Sequence, residues 1–97
     1  MRTALCGTFM AAPGKGDELV EVLLEAAAAL SSDPECVQYT VGVAGDDEVA
    51  VFELWESEAA HAASLQRPEI QEIISRGRPL IAGMGPASIR FTVPTPR

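Results

Sequence analysis

The sequence has little positive charge. Its 97 residues include only seven Lys and Arg against 14 Asp and Glu, which gives a formal net charge of −7 at pH 7. Nucleic-acid phosphates and anionic lipid surfaces are bound by clustered basic side chains, whereas the cations here are scattered along the chain. The composition therefore predicts a protein that binds neither nucleic acid nor a membrane surface.

Cysteine and long apolar segments are also scarce. The two cysteines, Cys6 and Cys36, and the single histidine, His61, lack the spacing of metal ligands, so we expect no metal site. We interpret both cysteines as buried small side chains, and a disulfide stays open only if their strands are neighbours. No apolar run approaches the roughly 20 residues that span a bilayer, and the first residues show no signal-peptide pattern. We expect a cytoplasmic protein.

What the chain does contain is one domain-sized length, residues 1–97, of alternating strand and helix patterns. Strands are predicted over 3–10, 36–43, 49–55 and 87–93. Helices are predicted from an N-cap at Asp17 to 30, from a cap at Ser57 to 65, and from Pro68 onward, with one more helical turn at 80–81 and a tail, 94–97, outside the sheet. The order βαββαβ predicts a ferredoxin-like α+β fold, a four-stranded antiparallel sheet with both helices on one side.

The third predicted strand, residues 49–55, is apolar on both faces. Alternation places Val49, Val51, Glu53 and Trp55 on one face, and the apolar residues between them on the other. A chain of this length forms about two layers, so one sheet face has no cover of its own. We therefore predict a homodimer in which the face of Val51, Glu53 and Trp55 meets a second copy, with a ligand site near Glu53 and Trp55.

Three segments together resemble the antibiotic biosynthesis monooxygenase family of small dimeric α+β barrel proteins. They are Pro-Glu-Cys-Val-Gln-Tyr at 34–39, Phe-Glu-Leu-Trp-Glu-Ser-Glu-Ala-Ala-His at 52–61, and the helix region 67–81. The resemblance implies a ferredoxin-fold homodimer that oxygenates a quinol- or anthrone-like aromatic substrate with O2 and uses no flavin, haem or metal cofactor. Such a substrate, once it has lost a proton, is electron-rich enough to reduce oxygen itself, so the protein need only desolvate, orient and stabilise the anion.

Six side chains are candidates for the site. Trp55 either stacks on the substrate or is a core or interface residue, and His61 either faces the cavity or water. Glu53 is either a buried base or the interface ion-pair partner of Arg90 or another cation of the sheet. These three are the catalytic candidates. The substrate-binding candidates are Tyr39, Phe52 and Arg76, with Arg78 considered beside Arg76.

Two other functions remain open from the sequence. One is an isomerase or cyclase for a small enolisable ketone, in which Glu53 or His61 should be essential. A desolvating oxygenase should instead survive the loss of either residue with a modest drop in rate. The other is a non-catalytic dimer module that binds a small ligand, since fold does not imply function.

Overall fold

The computed structural model describes residues 1–94, which form one antiparallel sheet and three helices. The elements are β1 Arg2–Ala11, α1 Gly16–Leu30, β2 Cys36–Gly45, β3 Glu48–Trp55, α2 Glu58–Ser64, α3 Pro68–Gly77, a 3₁₀ turn Arg78–Leu80, β4 Ile81–Met84 and β5 Ile89–Val93. Of the predicted tail, 94–97, Pro94 follows the end of β5 and the other three residues lie outside the described residues. Among residues 1–94, no helix is long and apolar enough to cross a membrane.

The sheet confirms the predicted ferredoxin-like arrangement. The strand order is β2–β3–β1, and the remaining edge of β1 is shared by β4, beside Phe9–Ala11, and by β5, beside Arg2–Cys6. The single fourth strand of the prediction is therefore two short strands. Residue 81, expected in a helical turn, begins the first of them.

The connection between β4 and β5 lies close against β1 and explains the break. The buried Gly85 donates its backbone N–H to the carbonyl of Thr8 at 2.7 Å, and a Cβ on Gly85 would overlap the Thr8 side chain. A Cβ on Gly7 would similarly overlap Ser88. The glycines permit a backbone approach that any side chain would prevent.

Local signals fix two of the helix starts, and a distant residue fixes the third. Ser57 caps α2 by accepting the Ala60 N–H at 3.0 Å, as predicted, and Pro68 opens α3. The prediction of Asp17 as the cap of α1 was wrong, because this residue lies inside the first turn. The carboxylate of Asp47, which has a positive φ of 55°, instead accepts backbone N–H groups that lead into α1, at 3.0 and 3.1 Å.

The helices cover one face of the sheet and leave the other bare. Trp55 packs with α1 and α3 residues in the core, and Val49 packs against Leu19 of α1. The prediction that Val51, Glu53 and Trp55 face a second copy was therefore wrong, since their face lies under the helices. The alternation itself was right, and it leaves a bare sheet face that we call the open face. Its apolar members are Ala4, Met10, Ala50, Phe52, Leu54, Ile89 and Phe91.

The two cysteines are not neighbours in the sheet. Cys6 lies on β1 and Cys36 on β2, with β3 between the two strands, so the condition for a disulfide is not met. Both thiols are free. Cys6 is exposed on the open face rather than buried, because its register partners there are Phe52 and Ile89 and no helix covers them.

Candidate active site

A cavity of about 340 Å³ lies between the sheet and the helices. Most of its walls are aliphatic side chains from α1 and α3, including Leu23, Ala26 and Ile73. Its polar lining comes from Tyr39, Glu53, His61, Ser64 and Arg78. An apolar cavity with a few converging polar groups is the usual form of a small-molecule site, and we call this one the inner cavity.

Glu53 brings a carboxylate to the sheet wall of the inner cavity. The register of β3 places it between Leu5 of β1 and Tyr39 of β2, on the helix-covered face. Its Oε1 accepts a hydrogen bond from Trp55 Nε1 at 3.1 Å, and its side chain is only 19% exposed. The alternative ion pair with Arg90 does not form, because Arg90 instead contacts Glu58 at 3.2 Å. The carboxylate is thus held by a neutral donor.

His61 lies directly opposite this carboxylate. Its Nε2 is 3.8 Å from Glu53 Oε1, and its ring meets the Trp55 ring edge-on with centroids 5.5 Å apart. A separation of 3.8 Å is too long for a direct hydrogen bond, and it allows both atoms to contact one hydroxyl hydrogen-bonded between them. The Ser57 cap fixes the first turn of α2, and with it the position of His61. Of the two sequence alternatives, the histidine faces the cavity.

Trp55 supports the site from behind and is not among the cavity-lining residues. It is 0% exposed and packs on Leu30, Ile70 and Ile73. A ring buried this completely is not available to stack on a ligand in the inner cavity. Trp55 therefore acts on a ligand only indirectly, because it donates its N–H to Glu53 and packs against the His61 ring.

Tyr39 provides a hydroxyl that stays protonated. Burial, followed by the nearby carboxylate of Glu53 and the Cys36 thiol, raises the pKa of Tyr39 well above its ordinary value. Ionisation would place a second negative charge next to Glu53 in apolar surroundings. The Tyr39 hydroxyl is therefore a hydrogen-bond donor and not a base at working pH.

We expect Tyr39 to resist alkaline ionisation in the folded protein. It is the only tyrosine, so the near-ultraviolet absorption of its phenolate can be titrated directly, and the signal should appear only above the ordinary pKa of about 10. The unfolded chain ionises first, so the stability contributed by the neutral hydroxyl is present below that pH and is lost as the pH rises. Ionisation at the ordinary pKa would contradict the buried position, and Tyr39→Phe supplies the blank.

Two predicted substrate-binding residues do not reach the inner cavity. Phe52 points to the open face. Arg76 lies on the exposed side of α3 and is bound by Glu25 at 2.8 Å and by Glu72 at 2.6 Å. Arg78 lines the cavity instead, because the buried Gly77 ends α3 and the chain turns there.

Ser64 is the one polar lining residue that the sequence reasoning missed. It lies one helical turn after His61 and donates its hydroxyl to the His61 carbonyl at 2.6 Å. The i, i+3 spacing from the histidine was the signal available for it. Within residues 1–94, no three His, Cys, Asp or Glu side chains come together in a way that would hold a metal ion.

Comparisons with known proteins identify relatives of this fold. The model of a family described as antibiotic biosynthesis monooxygenase matches residues 4–76. A candidate antibiotic biosynthesis monooxygenase from Chloroflexus aurantiacus J-10-fl has a similar structure, with a TM-score of 0.86 and 36% identity over 100% of this chain and 96% of that one. No curated protein sequence matches the chain.

Two more distant structures share the fold. SnoaB, a cofactor-independent oxygenase from Streptomyces nogalater solved as its N63A mutant, has a TM-score of 0.78 and 18% identity, over 98% of this chain and 95% of that one. Rv0793 from Mycobacterium tuberculosis has a TM-score of 0.82 and 17% identity, over 99% of this chain and 98% of that one. At these identities the likeness establishes the architecture alone.

Proposed function

This chain belongs to the antibiotic biosynthesis monooxygenase family, and we propose that it is a cofactor-independent monooxygenase that oxidises a quinol- or anthrone-like aromatic with O2. The observation that carries the proposal is the pairing of Glu53 and His61, 3.8 Å apart, at the wall of an apolar cavity of about 340 Å³. The cavity volume lies within the range of small-molecule sites. The shared fold of SnoaB, itself a cofactor-independent oxygenase, is consistent with this chemistry.

The proposed reaction needs a proton acceptor and an apolar enclosure. For an anthrone, His61 takes a proton from the ring methylene, and Glu53 stabilises the imidazolium that forms. The resulting carbanion gives its electrons to O2, a C–O bond forms, and the peroxide anion takes the proton back from His61. The hydroperoxide then loses the second methylene proton as its O–O bond breaks, which releases water and leaves a carbonyl. One oxygen atom stays in the product and the other leaves as water, so the substrate supplies all four electrons that reduce O2.

The remaining polar residues have roles in stabilising the anion. The Tyr39 hydroxyl, kept protonated by burial, is placed to donate to the oxygen on which negative charge develops. Arg78 adds a positive charge at the cavity wall. The aliphatic side chains of α1 and α3 exclude water and so strengthen both interactions.

Dissolved-oxygen consumption with a panel of hydroquinones and anthrones tests the proposal. We expect uptake that increases in proportion to protein concentration, saturates with substrate and persists after treatment with a metal chelator. Product analysis should show one oxygen atom from O2 in the carbonyl. Absence of protein-dependent uptake across the panel would contradict the proposal, and loss of uptake with chelator would contradict its cofactor-independent form.

The same Glu53–His61 pair also favours a second candidate, an isomerase of small enolisable ketones. A carboxylate and an imidazole next to each other at the wall of one cavity suit the removal and return of a proton. Exchange of ketone protons for deuterium under anaerobic conditions distinguishes the two. Exchange without oxygen uptake would favour the isomerase, and uptake with the aromatic panel would favour the oxygenase.

We also propose that the protein is a homodimer joined through the open face. Phe91 is 42% exposed and Ile89 56% exposed there, beside Phe52 and Leu54 of β3. Adjacent exposed apolar side chains of this kind mark interaction surfaces. The occupant is a second copy because the family resemblance implies sheet-to-sheet pairing.

Sedimentation should therefore give about twice the chain mass at micromolar concentration, with an interface of about 800 Å² per partner. Phe52→Asp should give the monomer, because it places a charge in the middle of the paired sheets. Leu24→Asp is the matched control. Leu24 is an exposed apolar residue of α1, 51% accessible, on the helix side, and its variant should remain a dimer. A wild-type monomer would contradict the proposal.

A further inference from the structure

A second cavity, of about 300 Å³, runs along β1 beside β4 and β5, and we call it the edge groove. It lies where β4 gives way to β5, so the break in the fourth strand leaves it open. Its lining residues are Leu5, Cys6, Gly7, Thr8, Phe9, Val51, Glu53, Met84, Ser88, Ile89 and Arg90. The proposed reaction alone does not give this groove a role in binding.

The edge groove and the inner cavity are neighbours that share two lining residues, Phe9 and Glu53. Glu53 therefore lies between the two cavities, and its partner His61 lines only the inner one. A substrate whose reacting ring occupies the inner cavity would extend past Glu53 into the groove if it carried a further substituent.

Arg90 provides positive charge at the far side of the edge groove. The pairing of Arg90 with Leu5, and of Leu5 with Glu53, places Arg90 two strands from Glu53 on the same sheet face. Since neighbouring strands lie about 4.8 Å apart, the two backbones are separated by about 10 Å. The groove is otherwise lined mainly by apolar groups, and Arg90 is the only Lys or Arg among its lining residues.

The guanidinium of Arg90 is available to a ligand. Its side chain is 52% exposed, and its contact is a single 3.2 Å interaction between Nη1 and Glu58 Oε1. An ion pair this exposed contributes little to stability and can be exchanged. A guanidinium has five N–H donors and binds a carboxylate through two of them at once.

We propose that the edge groove is a second binding subsite that accepts a carboxylate-bearing arm of the aromatic substrate, with Arg90 as the carboxylate-binding residue. The assignment of the ring to the inner cavity rests on the proposed function. The substrate is then an acidic aromatic whose carboxylate lies one ring length or more from the reacting hydroxyl. Glu58 competes with that carboxylate for Arg90.

The test compares two rigid probes by titration calorimetry. The first is 6-hydroxy-2-naphthoate, with hydroxyl and carboxylate at opposite ends of two fused rings, and the second is 2-naphthol, which lacks the carboxylate. We expect the unchanged protein to bind the naphthoate about fivefold more tightly. Arg90→Gln should abolish that preference and leave 2-naphthol affinity unchanged, and Glu58→Gln should increase the preference.

Arg2→Gln is the matched control. Arg2 also forms an exposed ion pair, with Glu56 at 2.8 Å, but lies outside the groove, so its variant should retain the naphthoate preference. Equal affinity for both probes, an undiminished preference in Arg90→Gln, or binding of neither probe would overturn the inference. Because neither probe has to be turned over, failure of oxygen uptake would refute the proposed function without affecting this comparison.

Discussion

The double variant Glu53→Gln/His61→Asn should consume oxygen about 10²-fold more slowly than the unchanged protein, the lower end of the usual contribution of general base catalysis. Glu53 Oε1 and His61 Nε2 are the two proton-accepting atoms that lie 3.8 Å apart at the wall of the inner cavity. Removing both leaves the apolar enclosure and the Tyr39 hydroxyl, which still desolvate and orient the substrate. The loss is therefore large without being complete.

Each single variant should lower the rate by only about tenfold, because the remaining partner can still accept the proton. Glu21→Gln is the matched control, because it is the same isosteric substitution at a residue on the exposed side of α1. This variant should leave the rate unchanged. The measurement is oxygen uptake at saturating substrate, with folding checked by circular dichroism. If either single variant abolished oxygen uptake, that residue would be an essential base, which would contradict an oxygenase that works mainly by desolvation.

The fold was predictable because its signals are local. Alternating strands, the Ser57 cap and the proline at the start of α3 each depend on a few adjacent residues, and all three are confirmed. The start of α1 was not predictable in this way. Its backbone N–H groups are satisfied by Asp47, more than 30 residues further along the chain, and such a cap exists only once β2 and β3 have formed.

The candidate site was predicted in part, and the part that was missed again depends on tertiary structure. Alternation groups Glu53 and Trp55 on one face of β3, but it does not show whether helices or a second copy cover that face. Helix periodicity did not show that Arg78 would turn into the inner cavity while Arg76 stayed with Glu72 on the surface. Sheet register brings Tyr39 beside Glu53, and pairing partners cannot be identified from one strand alone.

Replacing Trp55 should have the largest effect on stability. Trp55→Ala should lower the free energy of unfolding by about 3–5 kcal/mol, because it deletes a completely buried aromatic and leaves a void beside Leu30 and Ile73. A loss of this size is a large part of the stability of a small domain, which is about 5–15 kcal/mol. Urea unfolding followed by circular dichroism is the measurement, since Trp55 is the only tryptophan and its fluorescence disappears with it.

Val43→Ala, at a position 75% exposed on β2, is the control and should change stability by less than about 0.5 kcal/mol. A cost below about 1 kcal/mol for Trp55→Ala would contradict the packed position of the ring. Trp55→Phe then separates the packing of the Trp55 ring in the core from its role in positioning Glu53. It keeps most of the buried ring but removes the N–H that Glu53 accepts at 3.1 Å, so the protein should stay folded while the carboxylate loses its fixed orientation.

In the Trp55→Phe variant we therefore expect kcat to fall while KM stays near its original value, because the carboxylate that pairs with His61 is no longer held in one orientation. A tryptophan that served only to fill the core would leave kcat unchanged once the variant had folded. An unchanged kcat in a stably folded Trp55→Phe protein would confine Trp55 to a structural role.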